Sequence, residues 1–385
     1  MAYLCKEIML FGFLCFYKAD FMEHPENDPR YKGLSVNRGI DQPPSINPYL
    51  QKRAKRRQYT VDEYVEGILA GNIPILSQAV TLIESSRPEH EKMAQAIIEK
   101  CLPHSGNSIR VGITGVPGAG KSTSIDAFGM HLINKGNKVA VLAIDPSSER
   151  SKGSILGDKT RMQKLSVHPN AFIRPSPSAG SLGGVARKTR ETIILCEAAG
   201  FNYVFVETVG VGQSETAVHS MVDFFLLIQI AGAGDELQGI KRGIMEMADG
   251  IVINKADGDN IEKAKMAQRQ LQNALHLFPL PESGWAPRVL TYSAYYNIGI
   301  EKIWDMIHEY IDFVKQNGYF ERRRNEQAKY WMYETIDEQL KNHFYRNPVI
   351  EELMPRLEKE VLSAQKTSFA AAKEALDMYY ALQKR

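Results

Sequence analysis

A glycine-rich segment at residues 115–123 has the residue types of a phosphate-binding loop. The segment reads GVPGAGKST and lies between an apolar run at 108–114 (SIRVGIT) and a helical pattern at 123–135. In such a loop, glycines let backbone N–H groups turn toward phosphate oxygens, and the start of the following helix adds its positive dipole end. A chance glycine-rich turn is the alternative. The order of strand, loop and helix favours a site for a nucleoside triphosphate.

Individual residues of this loop have separate predicted tasks. The Lys121 ammonium group is predicted to reach the β- and γ-phosphates, and the Ser122 hydroxyl is a predicted ligand of Mg²⁺. The residues expected to contact the nucleotide here are Gly115, Pro117, Gly118, Ala119, Gly120, Lys121, Ser122 and Thr123.

A second motif, NKAD at residues 254–257, follows the apolar run GIVI. Ligands of α/β proteins bind at the carboxyl ends of the strands, where this motif lies. The Asp257 carboxylate accepts two hydrogen bonds from N1–H and the N2 amino group of guanine, whereas adenine lacks this donor pair. Asn254 is predicted to tie this loop to the phosphate loop, and the stem of Lys255 to lie along the base. The candidate base-binding residues are Asn254, Lys255, Asp257, Ser293 and Ala294.

Acidic residues follow two other predicted strands. Asp145 comes after the run KVAVLAI, and Glu207 comes after YVFV. Carboxylates at such strand ends hold Mg²⁺ directly or through water, and a buried carboxylate needs a partner. Asp158 lies in the glycine-containing segment between them. The predicted metal ligands are Ser122, Asp145, Asp158 and Glu207, with a turn or helix cap as the alternative for Asp145.

Hydrolysis of the nucleotide requires groups that stabilise charge and orient water. Arg161 is a candidate for the first task, with a solvated loop charge as the alternative. The N–H of Gly210 is placed to sense a γ-phosphate. No glutamine follows Gly210 directly, and Gln213 stands three residues on. We therefore expect slow intrinsic hydrolysis that a partner accelerates.

A glycine-rich segment at residues 231–239, AGAGDELQG, follows the apolar run FFLLIQI. Together with Lys241 it has the composition of a mobile, charged loop beside the nucleotide. A nucleotide-dependent switch and an ordinary surface connection both fit this pattern.

Composition excludes several classes of protein. The chain has 385 residues and a net charge of +2, which gives no reason to expect a nucleic-acid partner. The four cysteines are scattered without a C-x-x-C pair, so we do not expect a disulfide framework and we expect a reducing compartment.

The apolar run at 8–17 is too short for a bilayer-spanning helix. We expect a cytoplasmic protein without a membrane segment, whose translation starts at Met22 rather than Met1.

The pattern along the chain predicts four regions. Residues 1–58 read as an extended arm, with 1–21 not native, and residues 59–107 read as a helical region that begins at the capping pair Thr60 and Glu63. Residues 108–314 alternate apolar strands with helices, which predicts a P-loop, doubly wound, mostly parallel α/β sheet. Besides the five apolar runs above, strands are predicted at Ala171–Arg174 and Arg288–Thr291. Residues 315–385 contain amphipathic helices.

These C-terminal helices carry apolar stripes that must pack on some surface. The stripes consist of Met332, Ile336, Leu340 and Phe344, followed by Leu353, Leu357 and Val361. Packing on the nucleotide domain and packing on a second copy of the chain are both consistent with this pattern.

The motifs together resemble the MeaB/ArgK family of P-loop GTPases, which includes the MMAA type. The segments that carry the resemblance are GVPGAGKST, LAIDPSS, GSILGDKTRM, VETVGVGQSE, AGAGDELQGIKRGIMEMADG and NKAD. The resemblance implies a GTPase that binds GTP, GDP and Mg²⁺ and acts as a chaperone of an adenosylcobalamin-dependent acyl-CoA mutase, chiefly methylmalonyl-CoA mutase. It implies a homodimer formed through the C-terminal helices. It also implies that residues 235–241 form a third switch, in which Lys241 moves toward the nucleotide.

The candidate catalytic residues are then Lys121, Arg161, Glu207 and Lys241. Two other functions remain open from the sequence. A metallochaperone-type GTPase requires a Cys/His cluster, which the sequence does not display. A kinase of an amino-acid transport system, the older interpretation of ArgK-type sequences, requires a base beside an acceptor hydroxyl.

Overall fold

The computed structural model describes residues 59–144, 162–176, 182–208, 214–231 and 242–383. The predicted arm at 1–58, with the proposed start at Met22, lies outside these residues. The same holds for part of the predicted switch and metal sites, namely Asp145, Asp158, Arg161, Gly210, Gln213, residues 232–239 and Lys241.

The apolar runs predicted as strands form one seven-stranded sheet. The strands are β1 (Ile109–Gly115), β2 (Val139–Ile144), β3 (Ala171–Ser176), β4 (Tyr203–Thr208), β5 (Phe224–Ile230), β6 (Gly250–Asn254) and β7 (Arg288–Thr291). Their order is β3-β2-β4-β1-β5-β6-β7, and every pairing is parallel. The predicted α/β class with a mostly parallel sheet is confirmed.

Helices precede, separate and follow these strands. They are α1 (Val61–Leu69), α2 (Ile73–Glu84), α3 (Pro88–Cys101), α4 (Lys121–Asn134), α5 (Leu182–Ala198), α6 (Ser214–His219), α7 (Arg242–Met247), α8 (Ile261–Leu275), α9 (Ile300–Gln316), α10 (Tyr319–Tyr345), α11 (Pro348–Leu362) and α12 (Ser368–Gln383). The start of α1 follows from local chemistry, since Thr60 and Glu63 form the predicted capping box through two reciprocal hydrogen bonds.

Alternate residues of each central strand enter two different cores. In β4, Val204 and Val206 pack with helices α1, α2, α3 and α5, whereas Phe205 packs with α4 and α9. This alternation follows from the two-residue period of a strand, and burial of both faces explains the continuously apolar sequences. Because all strands are parallel, their carboxyl ends meet at one edge, which brings Gly115, Glu207 and Asn254 together.

The first half of helix α10 contacts the sheet domain through ion pairs and hydrogen bonds. Arg323 Nη1 lies 3.3 Å from Asp249 Oδ2, and Arg324 Nη2 lies 2.7 Å from Asp223 Oδ2. Farther along, Trp331 Nε1 donates to the Ser220 carbonyl at 3.0 Å. These groups are buried or half-buried, so their pairing offsets the cost of removing charge and polar groups from water.

The second half of α10 leaves its apolar stripe in solvent. Met332, Ile336 and Leu340 are 52%, 46% and 61% exposed. The stripe of α11 is different, because Leu357 is buried against Ala371 and Ala375 of α12. Within the described residues, packing on the nucleotide domain, one of the two alternatives from the sequence, therefore applies to the start of α10 but not to its exposed stripe.

Candidate functional site

The phosphate loop connects β1 directly to α4, and its glycines occupy conformations that other residues rarely adopt. Gly118 and Gly120 have φ values of 79° and 88°. A Cβ atom on Gly120 would lie 2.6 Å from Asn254 Nδ2, and one on Gly115 would lie 2.2 Å from the Ile228 carbonyl oxygen. The glycines at these positions are therefore required by backbone conformation and by close packing.

Lys121, the first residue of α4, directs its charged end back over the loop. Its Nζ donates to the Gly115 carbonyl at 2.8 Å and lies 3.5 Å from the Val116 carbonyl. The ammonium group is thus held beside the backbone N–H groups that such a loop offers to phosphates. Pro117 and Thr123 are exposed at this edge, whereas Ala119 is fully buried beneath the loop.

Two predicted metal ligands come together next to this lysine. Ser122 Oγ donates to Glu207 Oε1 at 3.3 Å, although 85 residues separate them in sequence. Glu207 is 4% exposed and pairs with Ile113 of β1 through the sheet ladder. Both residues offer hard oxygen atoms of the kind that Mg²⁺ prefers. The other two predicted ligands, Asp145 and Asp158, lie outside the described residues.

The NKAD motif forms a loop that is joined to the phosphate loop. Asn254 Nδ2 donates to the Ala119 carbonyl at 2.8 Å, so the predicted tie between the two loops is present. Asn254 Oδ1 accepts from the backbone N–H groups of Lys255 and Ala294 at 2.8 and 3.1 Å. One side chain therefore binds three loops, and Lys255 adopts a positive φ of 59° within this turn.

Asp257 lies at the far end of the same loop and is half-buried. Its Oδ2 accepts from Ser293 Oγ at 2.5 Å, which orients the carboxylate from the side of β7. The residues that line a cleft of about 800 Å³ include Thr123, Ala294 and Tyr295. The cleft thus connects the end of the phosphate loop with the loop that carries Ser293.

Two buried hydroxyl groups beneath the site were not singled out from the sequence. Tyr292 Oη lies 2.6 Å from Ser124 Oγ, and both residues are almost fully buried. Burial raises the pKa of Tyr292 above its usual value, which disfavours the phenolate form and keeps the hydroxyl as a hydrogen-bond donor. Their position in the sequence is the one signal that could have identified them, since Ser124 directly follows the GKST segment and Tyr292 directly precedes Ser293.

A glycine-rich phosphate loop bonded to an Asn-Lys-x-Asp loop, on the carboxyl edge of a parallel α/β sheet, defines a P-loop GTPase. A family described as "Methylmalonyl Co-A mutase-associated GTPase MeaB" matches residues 76–349. The chain belongs to this MeaB family, and the resemblance inferred from its motifs is confirmed. Family membership also establishes that the bound nucleotide is a guanine nucleotide.

Individual relatives agree with this assignment. The chain is 48% identical over 319 residues to "Probable GTPase Rv1496" of Mycobacterium tuberculosis, which covers 83% of this chain and 95% of the relative. It is 43% identical over 329 residues to "Methylmalonic aciduria type A homolog, mitochondrial" of Mus musculus, covering 83% and 79% of the two chains. A solved structure, named "Crystal structure of LAO/AO transport system kinase", is 38% identical with a TM-score of 0.67, covering 84% of this chain and 99% of that one.

No helix in the described part of the chain is both long and apolar enough to cross a bilayer.

Proposed function

We propose that this GTPase hydrolyses GTP to GDP and phosphate as a cytoplasmic chaperone of an adenosylcobalamin-dependent acyl-CoA mutase. In this role it gates cofactor loading and protects or reactivates the mutase, for which methylmalonyl-CoA mutase is the leading candidate. The observation that carries the proposal is the bonded pair of phosphate and base loops in a member of a family named for association with that mutase. The mouse relative, named after methylmalonic aciduria, supports the same partner.

The proposal includes Mg²⁺ at the phosphate loop. Ser122 and Glu207 already lie within hydrogen-bond distance of each other and offer one hydroxyl and one carboxylate, which is the donor chemistry that this ion takes. We propose that they hold it together with Asp145 and Asp158. When bound, the ion neutralises negative charge on the phosphates. The protein's own part is to position the nucleotide through the loop and Lys121.

The proposed intrinsic rate is low, and the partner raises it. Val211 stands directly after Gly210, at the position where many switch GTPases carry a glutamine that orients the attacking water. Arg161 and Lys241 are the cations that we propose to stabilise transition-state charge. Lys241 follows the glycine-rich segment 231–239, which we propose as the switch that relays the nucleotide state to the mutase.

Single-turnover hydrolysis of GTP, labelled at the γ-phosphate, tests the proposed function. We expect purified methylmalonyl-CoA mutase to accelerate phosphate release about tenfold or more, which corresponds to about 1.4 kcal/mol of barrier. ATP in place of GTP and chelation of Mg²⁺ serve as controls, and both should abolish the signal. Transfer of cobalamin to the mutase, measured in parallel, should depend on GTP.

The same assay separates the alternatives. A kinase is the second candidate, because the related solved structure is named as a transport system kinase. Such an activity would deliver the label to a protein instead of to inorganic phosphate. A metallochaperone would release phosphate but leave cobalamin transfer independent of GTP. Absence of both stimulation and GTP-dependent transfer would refute the chaperone function.

We further propose that two copies of the chain associate through residues 315–385. The exposed stripe of α10 continues into an apolar groove of about 780 Å³ between α10, α11 and α12. Leu340, Leu376 and Tyr380 line this groove while being 61%, 42% and 58% exposed. Contiguous exposed apolar surface of this kind is typical of protein interfaces.

A charge placed in the groove should separate the two copies. Leu340→Glu is expected to convert a dimer to a monomer in sedimentation velocity, because dimerisation would then bury an unpaired carboxylate. Val167→Glu is the matched control, since Val167 is 81% exposed but lies in the short turn Leu165–Val167. A Leu340→Glu variant that still sediments as a dimer would place the interface elsewhere.

A further inference from the structure

A second connection joins the base loop to the phosphate loop, independently of Asn254. It runs through Tyr292, which follows β7 and is 1% exposed. The Tyr292 ring stacks on Phe128 of α4, with ring centroids 5.6 Å apart and planes inclined by 28°. Its hydroxyl reaches Ser124 Oγ at 2.6 Å, and Ser124 Oγ in turn lies 2.8 Å from the Gly120 carbonyl oxygen.

The direction of these hydrogen bonds follows from the number of protons. A carbonyl oxygen only accepts, so Ser124 must use its single hydroxyl proton toward Gly120. The Tyr292 hydroxyl is then the donor to Ser124. The result is a one-way chain from Tyr292 to Ser124 to the carbonyl of Gly120, buried at Tyr292 and Ser124 and partly buried at Gly120.

The backbone of Tyr292 is held by the base loop. Its N–H donates to the Ile253 carbonyl at 2.9 Å, and its carbonyl accepts from the Ala256 N–H at 3.0 Å. The next residue, Ser293, donates to the Asp257 carboxylate. The main chain of Tyr292 therefore follows the position of the NKAD loop, while its side chain reaches the phosphate loop.

The Gly120 carbonyl is an effective point of attachment. In a trans peptide unit the C=O and the following N–H point in opposite directions within one plane. Fixing the carbonyl of Gly120 therefore fixes the direction of the Lys121 N–H, one of the loop donors that face phosphate. Gly120 has a left-handed φ of 88°, and a Cβ atom placed on it would lie 2.6 Å from Asn254 Nδ2, the side chain of the first connection. Its carbonyl also accepts from the Ser124 N–H at 2.9 Å, the first backbone hydrogen bond of α4, so the Ser124 hydroxyl is a second donor to the same oxygen.

We propose that Tyr292 is a positioning residue, which transmits the placement of the base loop to the phosphate loop through Ser124. The proposal rests on the binding of a guanine nucleotide and adds a residue that positions the phosphate loop for it. It does not depend on the mutase or on the rate of hydrolysis. Tyr292 touches no part of the nucleotide in this scheme. It makes the affinity for the phosphates depend on how the base is held.

Tyr292→Phe tests this coupling, because it removes only the hydroxyl and keeps the stacked ring. Calorimetry gives the dissociation constants of guanosine and of GDP. The dissociation constant of guanosine divided by that of GDP measures how much the phosphates contribute to binding. We expect this ratio to fall about threefold to tenfold in Tyr292→Phe, the size of one lost buried hydrogen bond. Ser124→Ala should lower it by a similar factor, and the double variant should lower it no further than the larger single effect.

Tyr310→Phe is the matched control. The Tyr310 hydroxyl is also buried and accepts from Arg323 Nη1 at 3.0 Å, but the Tyr310 ring packs on Trp285 and on Phe224 at the start of β5, at the end of the strand opposite the two loops. This control should lower the unfolding temperature while leaving the ratio unchanged, which is the result expected of a purely structural hydroxyl.

The outcomes are distinct. A ratio unchanged in both Tyr292→Phe and Ser124→Ala, or effects of the two that add in the double variant, overturns the coupling. If Tyr292→Phe does not fold, Ser124→Ala carries the same comparison against wild type. Failure of the mutase assay with a normal wild-type ratio would refute the chaperone function alone, because no mutase is present in these titrations.

Discussion

Replacing Lys121 with alanine is expected to weaken GTP binding about a hundredfold or more and to abolish nucleotide-dependent function. Charge-assisted hydrogen bonds contribute about 1.5–3 kcal/mol each, and Lys121 is expected to reach two phosphates, which accounts for a loss of this size. The side chain is already directed over the loop, with Nζ 2.8 Å from the Gly115 carbonyl. Fluorescence titration with a labelled GTP analogue measures the change.

The fold should survive this substitution. Lys121 is the first residue of α4, and alanine has the highest helix propensity of any residue. Lys135→Ala is the matched control, because it removes the same charge at the opposite end of the helix, where it caps an exposed C-terminus. If Lys121→Ala bound GTP as tightly as the Lys135→Ala control, the loop would not be the phosphate site.

The strands were predictable because burial on both faces leaves a strong signal. All seven runs became strands, and β5 and β7 have the predicted bounds. The largest differences are in β3 and β4, each of which extends two residues past its predicted end. In particular, β4 was predicted to end at Val206 but continues through Glu207 and Thr208. The pattern stops at the first polar side chain, whereas the hydrogen-bond ladder depends only on the backbone, and Glu207 pairs with Ile113. The metal candidate thus lies within the strand rather than after it.

Pairings between distant polar residues were not predictable. Tyr292 and Ser124 are 168 residues apart and, in sequence, resemble ordinary members of a strand end and a helix. No sequence motif distinguishes Arg323 and Arg324 from other charged residues of a helix, yet they pair with Asp249 and Asp223 beside the sheet. Composition and periodicity describe which face of an element is buried, but the partner of a buried polar atom depends on tertiary register.

Asp257→Asn is expected to exchange the base preference of the site from guanine to xanthine. The carboxylate accepts hydrogen bonds from N1–H and the N2 amino group of guanine, whereas an asparagine amide presents one acceptor and one donor. Xanthine carries a carbonyl at position 2 in place of the amino group, so it matches the amide and not the carboxylate. Since a mismatched pair leaves buried polar groups unsatisfied, we expect the ratio of GTP to xanthosine triphosphate affinity to fall about a hundredfold or more.

The surroundings of Asp257 allow Asp257→Asn to change base recognition without disturbing the loop. The Ser293 hydroxyl, now donating to Asp257 Oδ2, can pair with either atom of the amide, so the loop keeps its support from β7. Asp259→Asn is the matched control, because it makes the same chemical change two residues away at an exposed position in the short turn Gly258–Asn260. Competition between the two nucleotides for each variant gives the ratio directly. If GTP outcompetes xanthosine triphosphate as strongly in Asp257→Asn as in Asp259→Asn, Asp257 does not read the base, and the guanine specificity of this family member must come from another residue.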